Sequence, residues 1–369
     1  MHAKMPVTKQ CCYQIAVPNS YDVLCLLPDT LSASSITTTK RIIPLMRKLK
    51  EGGYNVEFQE NLARKKTSPE KPMYLLERIK QTLRCLLGTS NHDIIFVSKP
   101  EMAPLAYLLS KKYSIPYVLD LDDLEKISAL DPNGYFTDYL VGKAAKVFVA
   151  SHELYKLYRK KKSDIVYLPN TTDLGYFNPM KYRWIEKSNE PTFIWVSDKI
   201  DWYTGCKLIF TSLSKLKKGR VVIIGSGPKE YFKELSKKLR IEQQVIVKDW
   251  IPDDELAKLY MTCHVGLLPF SDNPWTRCKC PSRLFEFMAM ELPYICTVGE
   301  PAYMAKKLAC GLIAKPEIED FTDKMKYAID HLEKLKEGAK QGRKFLLEKQ
   351  DFNSLGEKLE AALCATLTH

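Results

Sequence analysis

Residues 280–293 read CPSRLFEFMAMELP, a short and mostly apolar segment that contains the glutamate Glu286. Proline at a first helical position with serine beside it marks a helix start, so the sequence predicts a helix that begins near Pro281 and Ser282. The open N–H groups and positive dipole end of such a helix favour an anion such as a diphosphate. A carboxylate one turn further along is placed to accept hydrogen bonds from ribose hydroxyls. The segment therefore predicts a nucleotide site.

Two more segments lie outward from this one along the chain. Residues 221–228, VVIIGSGP, predict a buried strand that runs into a tight turn, and residues 168–179, LPNTTDLGYFNP, form a turn-rich end to the first half. Together with residues 280–293 they resemble the retaining GT-B glycosyltransferases of family 4, also called group 1, which have the three motifs in this order. The resemblance runs from about Tyr21 to the C-terminus and is stronger in the second half.

Alternating patterns along the chain also predict an α/β fold. The predicted strands are 22–27, 54–59, 93–98, 117–120, 146–150, 164–168, 192–197, 221–224, 244–248, 265–269 and 294–297. Helical patterns lie between them, for example at 38–50, 74–87 and 102–113, and this alternation is typical of parallel doubly wound sheets. The resemblance implies the GT-B architecture, in which two Rossmann-like domains face a cleft.

The length of 369 residues favours two domains, because one hydrophobic core rarely fills so long a chain. We expect residues 1–180 to bind the acceptor, residues 181–350 to bind the nucleotide sugar, and residues 351–369 to form a helix that crosses back to the first domain. A polar linker is expected near 181–191. The apolar runs are only strand length, and the N-terminus does not resemble a secretory signal, so we expect a cytoplasmic protein.

The eleven cysteines are scattered, which favours reduced thiols over disulfides. Cys278 and Cys280 form a C-x-C pair, but no second paired-ligand motif accompanies them, so we expect no metal site. We also expect no cofactor, because a nucleotide sugar would act as a co-substrate.

In open α/β sheets, ligands bind at the carboxyl ends of the strands. The resemblance assigns Glu286 to the ribose, the backbone of residues 283–285 to the diphosphate, and the loop at Trp250 and Ile251 to the base. Lys199 and Arg283 are expected to balance the diphosphate charge together. The full set of predicted donor residues is Lys199, Gly225, Gly227, Trp250, Ile251, Ser282, Arg283, Leu284, Phe285 and Glu286.

The two glycines of the VVIIGSGP turn would allow close backbone approach to a phosphate or sugar, or would simply form a structural turn. A third glycine would complete a dinucleotide motif, but Glu230 stands at that position, so NAD is not favoured.

The sequence departs from the family at Cys278, which stands where the family has a glutamate that contacts the donor sugar. Asp272, Arg277 and Lys279 in the same loop are the candidate replacements, and the sequence does not choose among them.

In the first domain, three acids lie at or just past the end of a predicted strand, and we predict a catalytic role for them: Asp120, Asp122 and Asp123. Like charges raise one another's pKa, so clustering them is costly without a purpose. A helix N-cap by Asp122 or Asp123 is the alternative. The predicted acceptor or phosphate loop comprises Ser34, Ser35, Thr37 and Lys99.

The net charge of +12 is unevenly distributed, because residues 40–84 contain twelve basic and five acidic residues. A basic amphipathic surface suits an anionic membrane, which would make the protein peripheral on the inner face of that membrane; a solvated charged face is the alternative. Nucleic acid is not favoured, because aromatic residues are sparse there and no binding motif appears.

These observations predict an enzyme of glycan biosynthesis that moves a sugar from a nucleotide-diphosphate donor to a saccharide or lipid-linked acceptor, and the resemblance implies retention of configuration. A nucleotide-sugar epimerase and a degenerate, non-catalytic nucleotide-binding or scaffold member are the alternatives.

Overall fold

A computed structural model describes residues 21–27, 38–60, 80–81, 84, 88, 91–124, 131, 133–197 and 202–368. The first half contains a parallel sheet of six strands in the order β2-β1-β3-β4-β5-β6. The strands are β1 (Asp22–Leu26), β2 (Asn55–Gln59), β3 (Ile94–Val97), β4 (Tyr117–Leu121), β5 (Lys146–Val149) and β6 (Ile165–Tyr167). Central strands such as β3 are apolar throughout because helices cover both faces of the sheet.

The second half contains another parallel six-stranded sheet, in the order β12-β11-β10-β7-β8-β9. Its strands are β7 (Thr192–Val196), β8 (Arg220–Ile224), β9 (Val245–Lys248), β10 (Val265–Leu268), β11 (Tyr294–Cys296) and β12 (Gly311–Ile313). The predicted α/β class with two doubly wound sheets is therefore confirmed. The sequence analysis missed β12, an edge strand of only three residues.

Helices connect the strands. The described α-helices are α1 (Ile43–Glu51), α2 (Ala103–Tyr113), α3 (Tyr135–Lys143), α4 (His152–Tyr158), α5 (Trp202–Leu216), α6 (Lys229–Leu239), α7 (Asp253–Thr262), α8 (Pro274–Arg277), α9 (Ser282–Ala289), α10 (Glu300–Leu308), α11 (Ile318–Asp330), α12 (Leu332–Lys349) and α13 (Phe352–Leu367). The helix predicted from residue 38 starts as a π-helical turn, Thr38–Ile42, before α1. Most of the helix predicted at 74–87 lies outside the described residues.

The last helix, α13, lies on the first domain. Leu355, Leu359 and Leu363 are spaced four residues apart, so they form one apolar stripe, and this stripe packs into the core around Val23 and Leu45. The chain passes between the domains near residue 171 and again near residue 350, and these two segments lie side by side. Thr171 Oγ1 donates to the carbonyl of Gln350 at 2.5 Å, and Gln350 Nε2 donates to the carbonyl of Asn170 at 2.8 Å.

The eight cysteines in the described part of the chain are free thiols, and all but Cys364 are buried. Among the described residues, no helix has both the length and the apolarity needed to cross a bilayer.

Helix α9, which contains Glu286, packs closely against strand β10 of the second sheet. Gly266 lies in β10, and a Cβ atom there would be 2.5 Å from Cε2 of Phe287, a fully buried ring on α9. Glycine is therefore needed at this position to let the helix approach the sheet.

We expect Gly266→Ala to lower the free energy of unfolding by about 1–3 kcal/mol, the usual cost of overpacking a core. Chemical denaturation followed by circular dichroism measures this change. Gly142→Ala is the matched control, because a Cβ atom there meets nothing within 4 Å and alanine favours a helix. Equal stability of the two variants would contradict the proposed packing constraint.

Candidate functional site

Glu286 forms the centre of a buried charged cluster at the start of α9. Its side chain is fully buried. Oε1 accepts hydrogen bonds from Arg283 and, at 3.1 Å, from Lys40 Nζ, and Oε2 accepts one from the Tyr260 hydroxyl at 2.7 Å. The predicted helix start is present, with Pro281 just before the first helical residue, Ser282.

The cluster holds Glu286 in its ionised form. Burial alone would raise its pKa, but the charges of Arg283 and Lys40, with the Tyr260 hydrogen bond, hold the pKa below its usual value. A buried carboxylate that stays charged is a strong hydrogen-bond acceptor, which is what the recognition of sugar hydroxyls requires.

Lys40 brings the first domain into this cluster. It lies in the π-helical turn that precedes α1, and its ammonium also contacts Asp253 Oδ1 at 2.7 Å, at the start of α7 in the second domain. Sequence analysis did not single out Lys40 as a site residue. The available signal was its place after β1, since the loops at the carboxyl ends of parallel strands face the cleft.

The other predicted donor residues lie around α9. The Arg283 guanidinium is 5.0 Å from the centroid of the partly exposed Trp250 ring, and Ile251 packs on the domain core. Leu284 and Phe285 are fully buried in that core, and the Leu284 N–H donates to the Pro281 carbonyl at 3.1 Å.

The turn after β8 carries the two predicted glycines. Gly225 has a φ of 137°, a conformation that favours glycine, and its N–H donates to the Lys248 carbonyl at 3.1 Å. Gly227 is half-buried two residues further on. Lys199 and the predicted loop residues Ser34, Ser35 and Thr37 lie outside the described residues.

Asp120 is fully buried in a bidentate pair with Arg41, with distances of 2.8 Å from Nε to Oδ2 and 2.5 Å from Nη2 to Oδ1. Arg41 also donates to the carbonyls of Leu168 and Pro169 and to the Asn170 side chain. Burial would lower the pKa of Arg41, but the Asp120 charge raises it. This geometry favours a structural role for Asp120 over contact with a sugar.

The other two acids lie where the domains meet. Lys99 Nζ is 3.0 Å from Asp122 Oδ1, and Lys279 of the second domain pairs with Asp123 at 2.5 Å. The Lys279 ammonium also lies 3.7 Å from the centroid of the Trp275 ring. The structure therefore brings Lys99, which was predicted for the acceptor or phosphate loop, together with the acids Asp122 and Asp123, which were predicted to be catalytic.

Of the candidates to replace the missing glutamate, only Lys279 reaches the first domain. Asp272 and Arg277 pair with each other at an exposed position. Cys278 itself packs into the hydrophobic core of the first domain, beside residues such as Leu121 and Tyr158. An apolar interdomain contact therefore occupies the position of the sugar-binding carboxylate.

A second interdomain contact was not predicted. The buried Glu300, the first residue of α10, accepts hydrogen bonds from the His152 backbone N–H at 2.8 Å and from the Tyr167 hydroxyl at 2.7 Å. The His152 ring stacks on Tyr303 with centroids 3.5 Å apart. His152 and Tyr167 lie more than 130 residues before Glu300 in the sequence, so local sequence patterns do not predict this contact.

A cavity of about 660 Å³ lies beside Lys40 and Asp253, between α1, residues 171–177 and the start of α13. This volume is in the range of small-molecule sites. Within the described ranges, no group of three or more His, Cys, Asp or Glu side chains is arranged to hold a metal ion.

Two described members of the basic stretch at 40–84 do not face outward. Lys40 and Arg41 point into the protein, towards Glu286 and Asp120, because buried carboxylates there need partners. For these two residues the prediction of a membrane-facing side chain is wrong. Arg64, Lys65 and Lys66 lie outside the described residues.

The two parallel six-stranded sheets have the GT-B fold of solved glycosyltransferases. Residues 181–345 match the model of the family described as glycosyl transferases group 1. No curated protein sequence matches the chain significantly.

Several solved structures share the fold. A glycosyltransferase from Rickettsia africae is 19% identical with a TM-score of 0.73, and the match covers 95% of this chain and 100% of that one. Sucrose-phosphate synthase from Thermosynechococcus elongatus is 14% identical with a TM-score of 0.77, and coverage is 94% and 99%. Alr3699/HepE from Anabaena, solved in complex with UDP, is 13% identical with a TM-score of 0.71, and coverage is 93% and 100%.

The ionisation of Asp123 makes the stability of the folded protein depend on pH. Burial, and next the charge of Asp122, raise the pKa of Asp123 to about 6, although Lys279 and Lys99 oppose this. Its pKa in an unfolded chain is roughly 3.9. The folded protein therefore binds more protons than the unfolded chain between these values, so this group adds stability as the pH falls.

We expect the stability of the wild type, relative to Asp123→Asn, to increase on the order of 1 kcal/mol between about pH 7 and about pH 5. Urea denaturation at several pH values measures this difference. Asp272→Asn is the control without a pH dependence in this range, because Arg277 lowers the pKa of Asp272 and its carboxyl stays ionised there in both the folded and the unfolded chain. A pH-independent difference for Asp123→Asn would contradict the raised pKa.

Proposed function

We propose that this protein transfers a glycosyl group from a nucleoside-diphosphate sugar to a saccharide or lipid-linked acceptor, with retention of configuration. The observation that carries the proposal is Glu286: an ionised, buried carboxylate at the start of α9, inside a domain that matches the group 1 glycosyltransferase family. Its oxygens would accept hydrogen bonds from the ribose hydroxyls.

The departing diphosphate would lie against the N-terminus of α9. The positive dipole end of that helix and the Arg283 guanidinium would stabilise developing negative charge without a metal ion. Retention and metal independence are part of this proposal.

The donor sugar would lie between the domains, near Asp122, Asp123 and Lys279. Because Cys278 cannot bind hydroxyls as a glutamate does, the polar groups for the sugar come in this proposal from the first domain and from Lys279. The acids Asp122 and Asp123 accept hydrogen bonds, and Lys279 donates them.

UDP-sugars are the first donors to test, because the Anabaena relative was solved with UDP and with UDP-glucose. A thermal-shift panel of UDP, GDP, ADP, CDP and TDP identifies the base, since a ligand that binds only the native state stabilises it. In our proposal the base lies against Trp250 and Ile251.

We expect Glu286→Gln to weaken binding of the preferred nucleoside diphosphate by about 1.5–3 kcal/mol, the scale of hydrogen bonds to a charged group. Glutamine keeps the side-chain size, so the buried cluster stays filled. Isothermal titration calorimetry gives the affinity, and Glu291→Gln, just beyond α9, is the matched control. If a folded Glu286→Gln variant bound the nucleoside diphosphate as tightly as the wild type, Glu286 would not be part of the donor site.

We expect turnover to be unchanged by EDTA, because the helix N-terminus and the cations replace a metal in this proposal. Mass detection of the glycosylated acceptor measures turnover. Loss of product in EDTA that magnesium or manganese restores would contradict metal independence. Isomerisation of the donor without an acceptor would indicate an epimerase, and nucleotide binding without any product would indicate a non-catalytic member.

A further inference from the structure

The solvent side of α3 is aromatic. Tyr135, Phe136 and Tyr139 are 76%, 48% and 47% exposed, while Leu140 and Val141 on the opposite side are buried in the core of the first domain. A surface helix normally presents polar residues to water. Three large rings on that side of one nine-residue helix therefore mark an unusual surface.

The rings continue onto the neighbouring helix α2. Phe136 stacks on Tyr139 with centroids 6.4 Å apart and an interplanar angle of 9°. Tyr107 of α2 meets Tyr139 edge to face at 5.9 Å, and their hydroxyl oxygens are 3.1 Å apart. The adjacent Leu108 is also exposed. We call Tyr107, Leu108, Tyr135, Phe136 and Tyr139 the aromatic face.

Basic side chains surround the aromatic face. Lys111 Nζ is 5.7 Å from the Tyr107 ring centroid, and Lys143 Nζ is 5.5 Å from that of Tyr139. The segments 103–113, 135–143 and 159–162 contain seven basic residues and one acidic residue, a net charge of +6. The acidic residue, Asp138, is itself paired with Lys161.

Rings with an apolar body and a polar hydroxyl, bordered by cations, match the interface of an anionic bilayer. The phenol ring enters the headgroup region while its hydroxyl stays hydrated, and lysines bury their stems and keep their charge near the phosphates. Each surface cation strengthens attachment to anionic lipid by roughly fivefold. Charge complementarity therefore selects a membrane as the partner.

The location of the aromatic face relates it to the cleft. Helix α3 follows β4, whose carboxyl end leads into Asp122 and Asp123, so α3 begins at the edge of the first sheet that faces the cleft. A lipid-linked molecule in a membrane touching this face would reach the cleft over a short distance.

We propose that the aromatic face docks the first domain onto an anionic membrane surface. Its use in presenting a lipid-linked acceptor rests on the proposed function, whereas membrane binding itself does not. The residues of the aromatic face lie outside the basic stretch at 40–84 in the sequence, and Lys40 and Arg41 of that stretch point inward.

Flotation of the full chain with vesicles of phosphatidylcholine and phosphatidylglycerol, and with phosphatidylcholine alone, tests the proposal. We expect binding only to the anionic vesicles, stronger at low salt because ions screen the attraction. The triple variant Tyr135→Ser, Phe136→Ser and Tyr139→Ser should lose about tenfold or more of its bound fraction, since the apolar contact is removed. Lys111→Glu with Lys143→Glu should also weaken binding.

Two matched controls keep the result interpretable. Trp184→Ser removes an aromatic residue that is 71% exposed elsewhere, and Lys326→Glu reverses an exposed charge on α11; neither should change flotation. Thermal melting and nucleoside-diphosphate affinity of the triple variant should match the wild type, which separates this proposal from the donor site.

Three results would overturn the proposal: no flotation of the wild type at low salt, undiminished flotation of the triple variant, or a solution dimer that the triple variant loses. The last result would make the aromatic face an interface between two copies of the chain. Binding to phosphatidylcholine alone with the same strength would show that anionic lipid is not the partner.

Discussion

The buried ion pair between Arg41 and Asp120 lies within the first domain, directly beside the Lys40 contact that joins the two domains. Removing either partner would leave an unpaired buried charge, a change that costs about 3–5 kcal/mol in other proteins. Arg41 also binds the carbonyls of Leu168 and Pro169, where the chain leaves the first domain. The turn that carries Arg41 is thereby held in place, and the adjacent Lys40 reaches Glu286 in the second domain.

Because of this arrangement, Glu286 has partners on both of its side-chain oxygens. A ribose that binds Glu286 would share or replace the Lys40 contact, and Asp253 offers Lys40 a second carboxylate 2.7 Å away. In the proposed function, donor binding and the contact between the domains would therefore be coupled at the Lys40 ammonium group.

Sequence patterns predicted the sheets well because apolar runs and their alternation with helices report local structure. They also located the start of α9 and Glu286. They could not show that Asp120 pairs with Arg41 while Asp123 pairs with Lys279, because those partners lie 79 and 156 residues away. Strand β4 ends at Leu121, so the alternation of side chains along a strand does not predict where the side chains of Asp122 and Asp123 point. Interdomain contacts such as that of Glu300 with His152 leave no periodic signal either.

The replacement at Cys278 has a structural consequence for the proposed reaction. A glutamate at this position would have to be buried in the apolar core of the first domain, where an unpaired charge is costly, so cysteine suits the closed arrangement. The next residue, Lys279, instead crosses to Asp123 and is itself buried. In the proposed function, the polar contact with the sugar is thus moved by one residue and depends on the first domain. In the proposed enzyme, a complete sugar site exists only when the two domains are in contact, which would limit wasteful hydrolysis of the donor by water in an open cleft.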